Sequence, residues 1–287
     1  MTMIKYLAGA GAALAVTLGS FSAMALTVTP TGSGDTLVQS ILGPGVSYSN
    51  VVYTGTANSG GTFAGAGAAV GIDSGILLTS GAVQNAVGPN NTGSASTSNN
   101  TPGDSQLNTL IPGYSTNDAT SLSFNFTTST GDLFFNYVFA SEEYPEWVGT
   151  SYNDVFGFFV DGVNIALIPG TSTPVAINTV NSGSNAAYYV PNNGSLNTQY
   201  DALTTVLTAS VLGLSAGTHT IKLAIADAGD TSYDSGVFIK AGSFSSTNPT
   251  SDVPELDAVS SASALMLLLI GGLMITGRKR QAQLSVG

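Results

Sequence analysis

The chain contains no cysteine and a single histidine, His219, among its 287 residues. Without cysteine it can form no disulfide, no thiolate metal site and no cysteine nucleophile. One histidine without cysteine cannot assemble the usual ligand set of zinc. The single G-x-S-x-G match, residues 213–217, is followed by a predicted strand and not by a helix, so it is not the elbow of a serine nucleophile. His219 opens the alternating stretch HTIKLAI, where a lone histidine is typical of a structural residue at a strand end.

Positive charge is also scarce. Six Lys and Arg residues stand against 17 Asp and Glu, which gives a formal net charge of −11. Between residues 26 and 252 the basic residues are Lys222 and Lys240 alone. Because affinity for phosphates depends on a basic surface, nucleic-acid binding is not expected. Such an acidic domain is suited instead to hard cations, or simply to solubility.

The N-terminus has the pattern of a secretory signal peptide over residues 1–25. Lys5 precedes the apolar run YLAGAGAALAVTLGSF, and Ala23 and Ala25 occupy the small positions that a signal peptidase requires. Cleavage is predicted after Ala25. The chain is therefore expected to be exported.

The C-terminus has the pattern of a membrane anchor. A polar linker, residues 246–253, precedes a nearly uncharged stretch, residues 260–277, that is long enough to cross a bilayer. The basic cluster that follows predicts a cytoplasmic end at residues 281–287 by the positive-inside rule. The sequence thus predicts a transient stay in the inner membrane.

The segment 254–280 also resembles the PEP-CTERM sorting tail, although Leu256 stands where that motif has its second proline. A plain single-span anchor is the alternative. The resemblance implies a Gram-negative bacterium, an exosortase-type processing enzyme as partner, and a link to extracellular polysaccharide. The residues that carry it are Val253, Pro254, Glu255, Arg278, Lys279 and Arg280.

Residues 26–245 have the composition of an all-β domain, rich in Gly, Ser, Thr and Asn with short β-branched and aromatic runs. The stretch DLFFNYVFA is apolar on both faces, which predicts a central strand between packed layers. Asp161-Gly162 predicts a tight hairpin between VFGFFV and VNIALI. We expect THTIKLAIAD to pair with SGVFIKAGSF, and a short helix near DTLVQSIL. The predicted fold is a β-sandwich, of jelly-roll type.

Two blocks carry a second resemblance. YVFASEEYPEWVGTSYNDVFGFFVDGVNIALIPGTSTPVAINTVN and IKLAIADAGDTSYDSGVFI are similar to the choice-of-anchor L domain, a bacterial surface domain that is combined with different C-terminal anchors. The segments GIDSGILLTSG and DATSLSFNF resemble the N-terminal half of the same family. The resemblance implies a surface protein and no enzymatic activity.

Two acidic loops follow strands predicted to be central, so we expect them to meet at one rim of the sandwich. Ca²⁺ takes six to eight oxygen ligands in flexible geometry, and these loops supply carboxylates and an amide. Ordinary turn chemistry, in which Asx side chains bond nearby amides, is the competing explanation. The candidate Ca²⁺ ligands are Glu142, Glu143, Asn153, Asp154, Asp227, Asp230 and Asp234.

The same region admits two other interpretations. Glu143 with Asp154 or Asp230 could form the carboxylate pair of a polysaccharide hydrolase. The aromatic residues Tyr144, Trp147 and Tyr152 could stack on sugar rings, as in a carbohydrate-binding module. The leading hypothesis is a non-enzymatic, exported surface or matrix protein that supports adhesion, biofilm or floc formation. Its expected partners are exopolysaccharide or other surface proteins.

Overall fold

The computed structural model describes residues 25–248. The predicted signal peptide up to Met24 and the predicted tail from residue 249 onward lie outside the described residues. The cleavage residue Ala23, the sorting motif and the basic cluster lie outside them as well. Within residues 25–248, no helix has both the length and the apolar character needed to span a membrane.

The described residues form thirteen strands and three short α-helices. The strands are β1 Thr27–Pro30, β2 Val46–Thr54, β3 Gly60–Ala64, β4 Ser74–Thr79, β5 Thr116–Thr128, β6 Leu133–Ser141, β7 Val155–Val160, β8 Val163–Asn164, β9 Tyr189–Pro191, β10 Ala202–Thr204, β11 Leu207–Val211, β12 His219–Ala228 and β13 Ser235–Lys240. The α-helices are α1 Gly34–Ile41, α2 Gly67–Val70 and α3 Ser105–Leu110. Helix α1 confirms the helix predicted near DTLVQSIL, and the side chain of Ser33 caps its N-terminus.

The strands pair antiparallel in two sheets. The first has the order β1-β3-β4-β13-β6-β10-β9, with β11 also paired to β6, and the second has the order β2-β5-β12-β7-β8. Eight strands form the body of the sandwich, β4-β13-β6-β11 in the first sheet and β5-β12-β7-β8 in the second. Along the chain these eight strands alternate between the two sheets at every step except that from β7 to β8, which is the strand order of a jelly roll. The all-β class and the two-sheet architecture agree with the prediction.

Strand β6 is central, as its sequence predicts. Its alternate residues from Leu133 to Phe139 face the core between the sheets, where the Phe135 ring lies 4.8 Å from that of Phe158. The other face of β6, with Val138 and Ala140, packs in a second apolar cluster. Because β6 is buried on both faces up to Ser141, the residues that follow it at the rim of the sandwich start next to the core.

The predicted hairpin is confirmed at its turn. Asp161 (φ 48°) and Gly162 (φ 84°) both adopt left-handed backbone conformations, and Val160 pairs with Val163. Two positive φ angles in succession are the signature of a type I′ turn. The second strand of the hairpin is shorter than predicted, because β8 ends at Asn164.

The predicted pairing of β12 with β13 is wrong. Strand β12 pairs with β5 and β7, whereas β13 lies in the other sheet between β4 and β6. Both strands are almost entirely buried, so each needs a neighbour on either side. The alternation of side chains fixes which of them face the core, but not which sheet a strand joins. The connecting loop, residues 229–234, therefore crosses from one sheet to the other.

Candidate functional site

The two predicted acidic loops meet at one rim of the sandwich. Residues 142–154 connect β6 to β7, and residues 229–234 connect β12 to β13. The backbone N–H of Glu142 donates to the carbonyl of Asp234 at 3.1 Å, and that of Asn153 donates to Ala228 at 3.2 Å. We refer to this region, formed by both loops, as the acidic rim. The expectation that the loops come together is confirmed.

The carboxylates of the acidic rim are buried, which the sequence did not predict. Glu142, Asp154, Asp227 and Asp234 are completely inaccessible, and Glu143 is 1% exposed. Glu146 in the same stretch is exposed, and Asp230 is partly buried. A carboxylate without water needs hydrogen-bond donors, a cation or a proton. The partners of each group therefore decide what the rim can do.

One set of carboxylates anchors the long loop of residues 88–104. The Oε2 atom of Glu142 accepts from the N–H of Ala95 at 3.1 Å. Asp234 accepts from the N–H of Thr97 at 3.1 Å and from the side-chain amide of Asn85 at 2.8 Å. The Ser-, Thr- and Asn-rich loop is thus fixed over the rim by hydrogen bonds to buried carboxyl groups.

Asp118 belongs to the same set and escaped the sequence analysis. It lies in β5 with a left-handed backbone (φ 49°) and is completely buried. It accepts from the N–H groups of Asn99 at 2.9 Å and Thr101 at 2.7 Å, and from the hydroxyl of Ser98 at 3.2 Å. The sole signal in the sequence is its position at the start of DATSLSFNF, one of the segments that carry the family resemblance.

A second set forms local turn and capping bonds. Asp154 accepts from the N–H of Ala228 at 2.9 Å and from the hydroxyl of Ser235 at 2.6 Å. The amide oxygen of Asn153 accepts from the N–H of Asn178 at 2.9 Å. Asp230 accepts from the N–H two residues later, a typical Asx turn. These contacts support the structural explanation for Asn153 and for one oxygen of Asp230.

Glu143 and Asp227 differ from all of these, because none of their four carboxylate oxygens has a hydrogen-bond partner. The nearby hydroxyl of Ser80 is engaged with the backbone of Ser235. The Oε1 atom of Glu142 is also without a partner. Buried polar atoms of this kind are rare in folded proteins, and each calls for a specific explanation.

The surroundings raise the pKa of these carboxyl groups. Burial raises the pKa of Glu143 to about 9, with a further rise from the charges of Asp154 and Asp230. Burial, followed by the charge of Asp154, raises the pKa of Asp227 well above its usual range. Burial raises the pKa of Glu142 to about 8, although the Ala95 N–H opposes the rise. Near neutral pH Glu142 and Glu143 therefore hold their protons.

No basic side chain of the described residues lies at the acidic rim. Lys222 pairs with Asp104, and Lys240 is exposed at the end of β13 remote from Asp234. His219 begins β12, at the opposite end from the rim, and its two ring nitrogens contact Asp161 at 2.6 Å and the Ser215 carbonyl at 2.9 Å. The structural role expected for His219 agrees with these contacts.

The seven predicted Ca²⁺ ligands lie together at the rim, but they are not arranged around a common point. Within residues 25–248, no three Asp, Glu or His side chains form a ready coordination group for a metal ion. Any cation at the rim would have to draw the carboxylates together. The groups that are free to move are those without hydrogen bonds.

The prediction that Tyr144 stacks on sugar rings is wrong. Tyr144 is completely buried, and its hydroxyl donates to the Val180 carbonyl at 2.6 Å, so its ring cannot contact a glycan. Trp147 and Tyr152 are half-buried, with ring centroids 5.0 Å apart. Tyr233, which the sequence analysis did not single out, lies 5.6 Å from Trp147. Trp147, Tyr152 and Tyr233 form an aromatic cluster beside the acidic rim.

Comparison with known proteins identifies the family of this domain. The family model of the choice-of-anchor L domain matches residues 27–245, which covers both sheets and the acidic rim. Comparisons with curated proteins and with solved structures gave no match. The family domain indicates a protein associated with the cell surface. Since the match covers most of the sequence, the chain belongs to the choice-of-anchor L domain family.

Proposed function

We propose that this chain is a non-enzymatic, exported surface or matrix protein that supports adhesion, biofilm or floc formation together with exopolysaccharide. The observation that carries the proposal is the family match over residues 27–245. The sequence supports it at both ends, with a pattern typical of a signal peptide and a pattern similar to a sorting tail.

The proposed route to the surface passes through the inner membrane of a Gram-negative bacterium. There, an exosortase-type enzyme would remove the tail that contains Pro254 and Glu255. The domain of residues 26–245 would then be released to the cell surface or the extracellular matrix. Replacing Glu255 with Gln should cause the unprocessed chain to accumulate in the inner membrane, and normal release would contradict this route.

Burial of the carboxylates supports the non-enzymatic proposal over polysaccharide hydrolysis. A glycosidase needs two carboxyl groups that reach opposite sides of a scissile bond. Glu143 and Asp154, the first predicted pair, lie beneath the surface and have no access to a polymer. The other pair joins a buried Glu143 to a partly buried Asp230, whose Oδ1 is held in a turn.

A second candidate function, carbohydrate binding, is favoured by the aromatic cluster of Trp147, Tyr152 and Tyr233. Half-exposed aromatic rings offer an apolar face to a sugar while their polar atoms remain near water. The cluster lies on the two loops that form the acidic rim. In this function the exopolysaccharide of the producing cell would be the ligand.

A deletion strain tests the leading proposal. We expect loss of aggregation or a reduced extracellular matrix, restored by the wild-type gene. Normal aggregation with a retained matrix would contradict it. Binding of the purified protein to the exopolysaccharide of the same strain tests the second candidate. Trp147→Ala and Tyr233→Ala should each weaken binding, whereas Tyr48→Ala, a half-buried aromatic on β2, should not.

A further inference from the structure

Glu143, Asp154 and Asp227 are three buried carboxyl groups at the acidic rim. The Ser235 hydroxyl lies 2.6 Å from the Asp154 carboxylate and 2.8 Å from the Ser141 hydroxyl, which accepts from the N–H of Glu143. Asp154 also accepts from the N–H of Ala228, the residue after Asp227. Glu143 is 1% exposed, Asp227 is inaccessible, and their four oxygens have no hydrogen-bond partner. An unpartnered buried carboxylate is costly, and two in one group require compensation.

A proton on each group or one shared cation can supply that compensation. The ligands offered are oxygens alone, which suits a hard divalent ion. Mg²⁺ demands a nearly ideal octahedron, whereas Ca²⁺ accepts six to eight oxygens in flexible geometry. The group consists of side chains from three different loops or strands, and Ca²⁺ tolerates such a set.

We propose that the acidic rim binds one Ca²⁺ ion through Glu143, Asp154 and Asp227, with Asp230 on the solvent side. Asp154 keeps its hydrogen bonds to the Ala228 N–H and the Ser235 hydroxyl on binding, because each carboxylate oxygen has two lone pairs. Asp154 is therefore the fixed ligand of the set.

Binding requires one adjustment of side chains. The carboxylates do not converge in a coordination group, so at least one must turn toward the others. Glu143 is suited to this movement, because neither of its oxygens is hydrogen-bonded, whereas its backbone N–H is fixed by the hydroxyl of Ser141. The loop can thus stay in place while the side chain rotates.

The proposed site is smaller than the set of seven that the sequence predicts. Asn153 is excluded because its side-chain oxygen accepts a hydrogen bond from the N–H of Asn178. Asp234 is excluded because its two oxygens face the covering loop and Asn85, whereas those of Asp154 face Ala228 and Ser235. Glu142 is excluded because one of its oxygens anchors the same loop. These three residues shape the rim and do not face the ion.

Thermal unfolding of the full chain in mild detergent tests the proposal. Millimolar CaCl₂ should raise the midpoint over that in EGTA by about 5–10 °C when Ca²⁺ exceeds its Kd about 100-fold, and NaCl of equal ionic strength should not. The rise should be larger at about pH 8 than at about pH 6, because the ligands must release their protons.

Glu143→Gln separates binding from folding. In EGTA its midpoint should equal or exceed that of the wild type, since the amide replaces a neutral carboxyl group. In CaCl₂ it should lose most of the rise, as should Asp227→Asn. Glu146→Gln, a control in the same loop with an exposed side chain, should keep the full rise.

Three results would overturn the proposal. These are no rise specific to Ca²⁺, a full rise in both Glu143→Gln and Asp227→Asn, or an equal loss in the Glu146→Gln control. Equilibrium dialysis of the wild type against radioactive Ca²⁺ gives an answer that does not depend on how the variants fold. One ion bound per chain supports the site, and none bound refutes it.

Discussion

The buried carboxyl of Glu142 makes a clear prediction about stability and pH. Burial raises its pKa to about 8, while in the unfolded chain it titrates near its ordinary value of 4.5. Between these values the folded state holds one proton more than the unfolded state. The free energy of unfolding must therefore fall as the pH rises through this window. This pH dependence is opposite to that of a carboxylate stabilised by an ion pair, for which the free energy of unfolding rises with pH.

The size of the effect follows from the width of the window. One titrating group changes the free energy of unfolding by about 1.4 kcal/mol per pH unit, so about 2.5 kcal/mol is the ceiling between about pH 5 and about pH 7. Glu142 lies beneath only one loop, and its Oε2 is bonded to the Ala95 N–H. Solvent near the surface screens part of the effect, so we expect about 1–2 kcal/mol.

Glu142→Gln removes this titration and isolates its contribution. Urea unfolding in EGTA, followed by the fluorescence of Trp147, the single tryptophan, gives the free energy at each pH. Wild type should lose more stability than the variant between about pH 5 and about pH 7, by about 1–2 kcal/mol. Glu146→Gln, at an exposed position, should follow the wild type. A flat or rising wild-type profile, or an unchanged slope in Glu142→Gln, would refute the reasoning.

Four further substitutions test hydrogen bonding and packing inside the domain by urea unfolding. Tyr137→Phe removes a buried hydroxyl without a hydrogen-bond partner and should leave stability unchanged or raise it. Tyr144→Phe breaks a hydrogen bond to a backbone carbonyl and should cost about 1–2 kcal/mol. A larger loss of stability in Tyr137→Phe than in Tyr144→Phe would contradict this account. Phe158→Ala leaves a cavity between the sheets and should cost about 3–5 kcal/mol, so a loss below about 1 kcal/mol would contradict the packing described. Gly81→Ala should cost at least about 2 kcal/mol, because its Cβ would lie 1.7 Å from the Asp234 carboxylate, and an unchanged stability would show that this carboxylate moves freely.

The central strands and the place of the acidic loops were predictable from local patterns. An apolar run on both faces of β6 required layers on either side, and the loop after it had to lie at a rim. The partner of β13 was not predictable, because burial on both faces suits a central position in either sheet. Pairing depends on contacts between distant segments, which alternation within one strand does not encode.

The fixed conformation of the loop formed by residues 88–104 could not be predicted either, and the reason is different. Its contacts with Glu142, Asp118 and Asp234 are made mainly by backbone N–H groups. Every residue except proline carries such a donor, so the side-chain pattern of a Ser- and Asn-rich stretch gives no sign of them. The burial of the carboxylates was missed for the same reason, since the covering loop had the composition of a free surface segment.

The scarcity of basic residues explains how the rim is held together. A buried carboxyl group needs a partner charge or hydrogen-bond donors, and this domain uses backbone amides for Glu142, Asp118 and Asp234. A backbone donor is fixed in position and cannot follow a side chain that moves. No such donor reaches the carboxylate oxygens of Glu143 and Asp227. A lysine there would form a permanent ion pair. Its absence leaves two groups whose compensation must come from protons or, under our proposal, from an exchangeable Ca²⁺ ion.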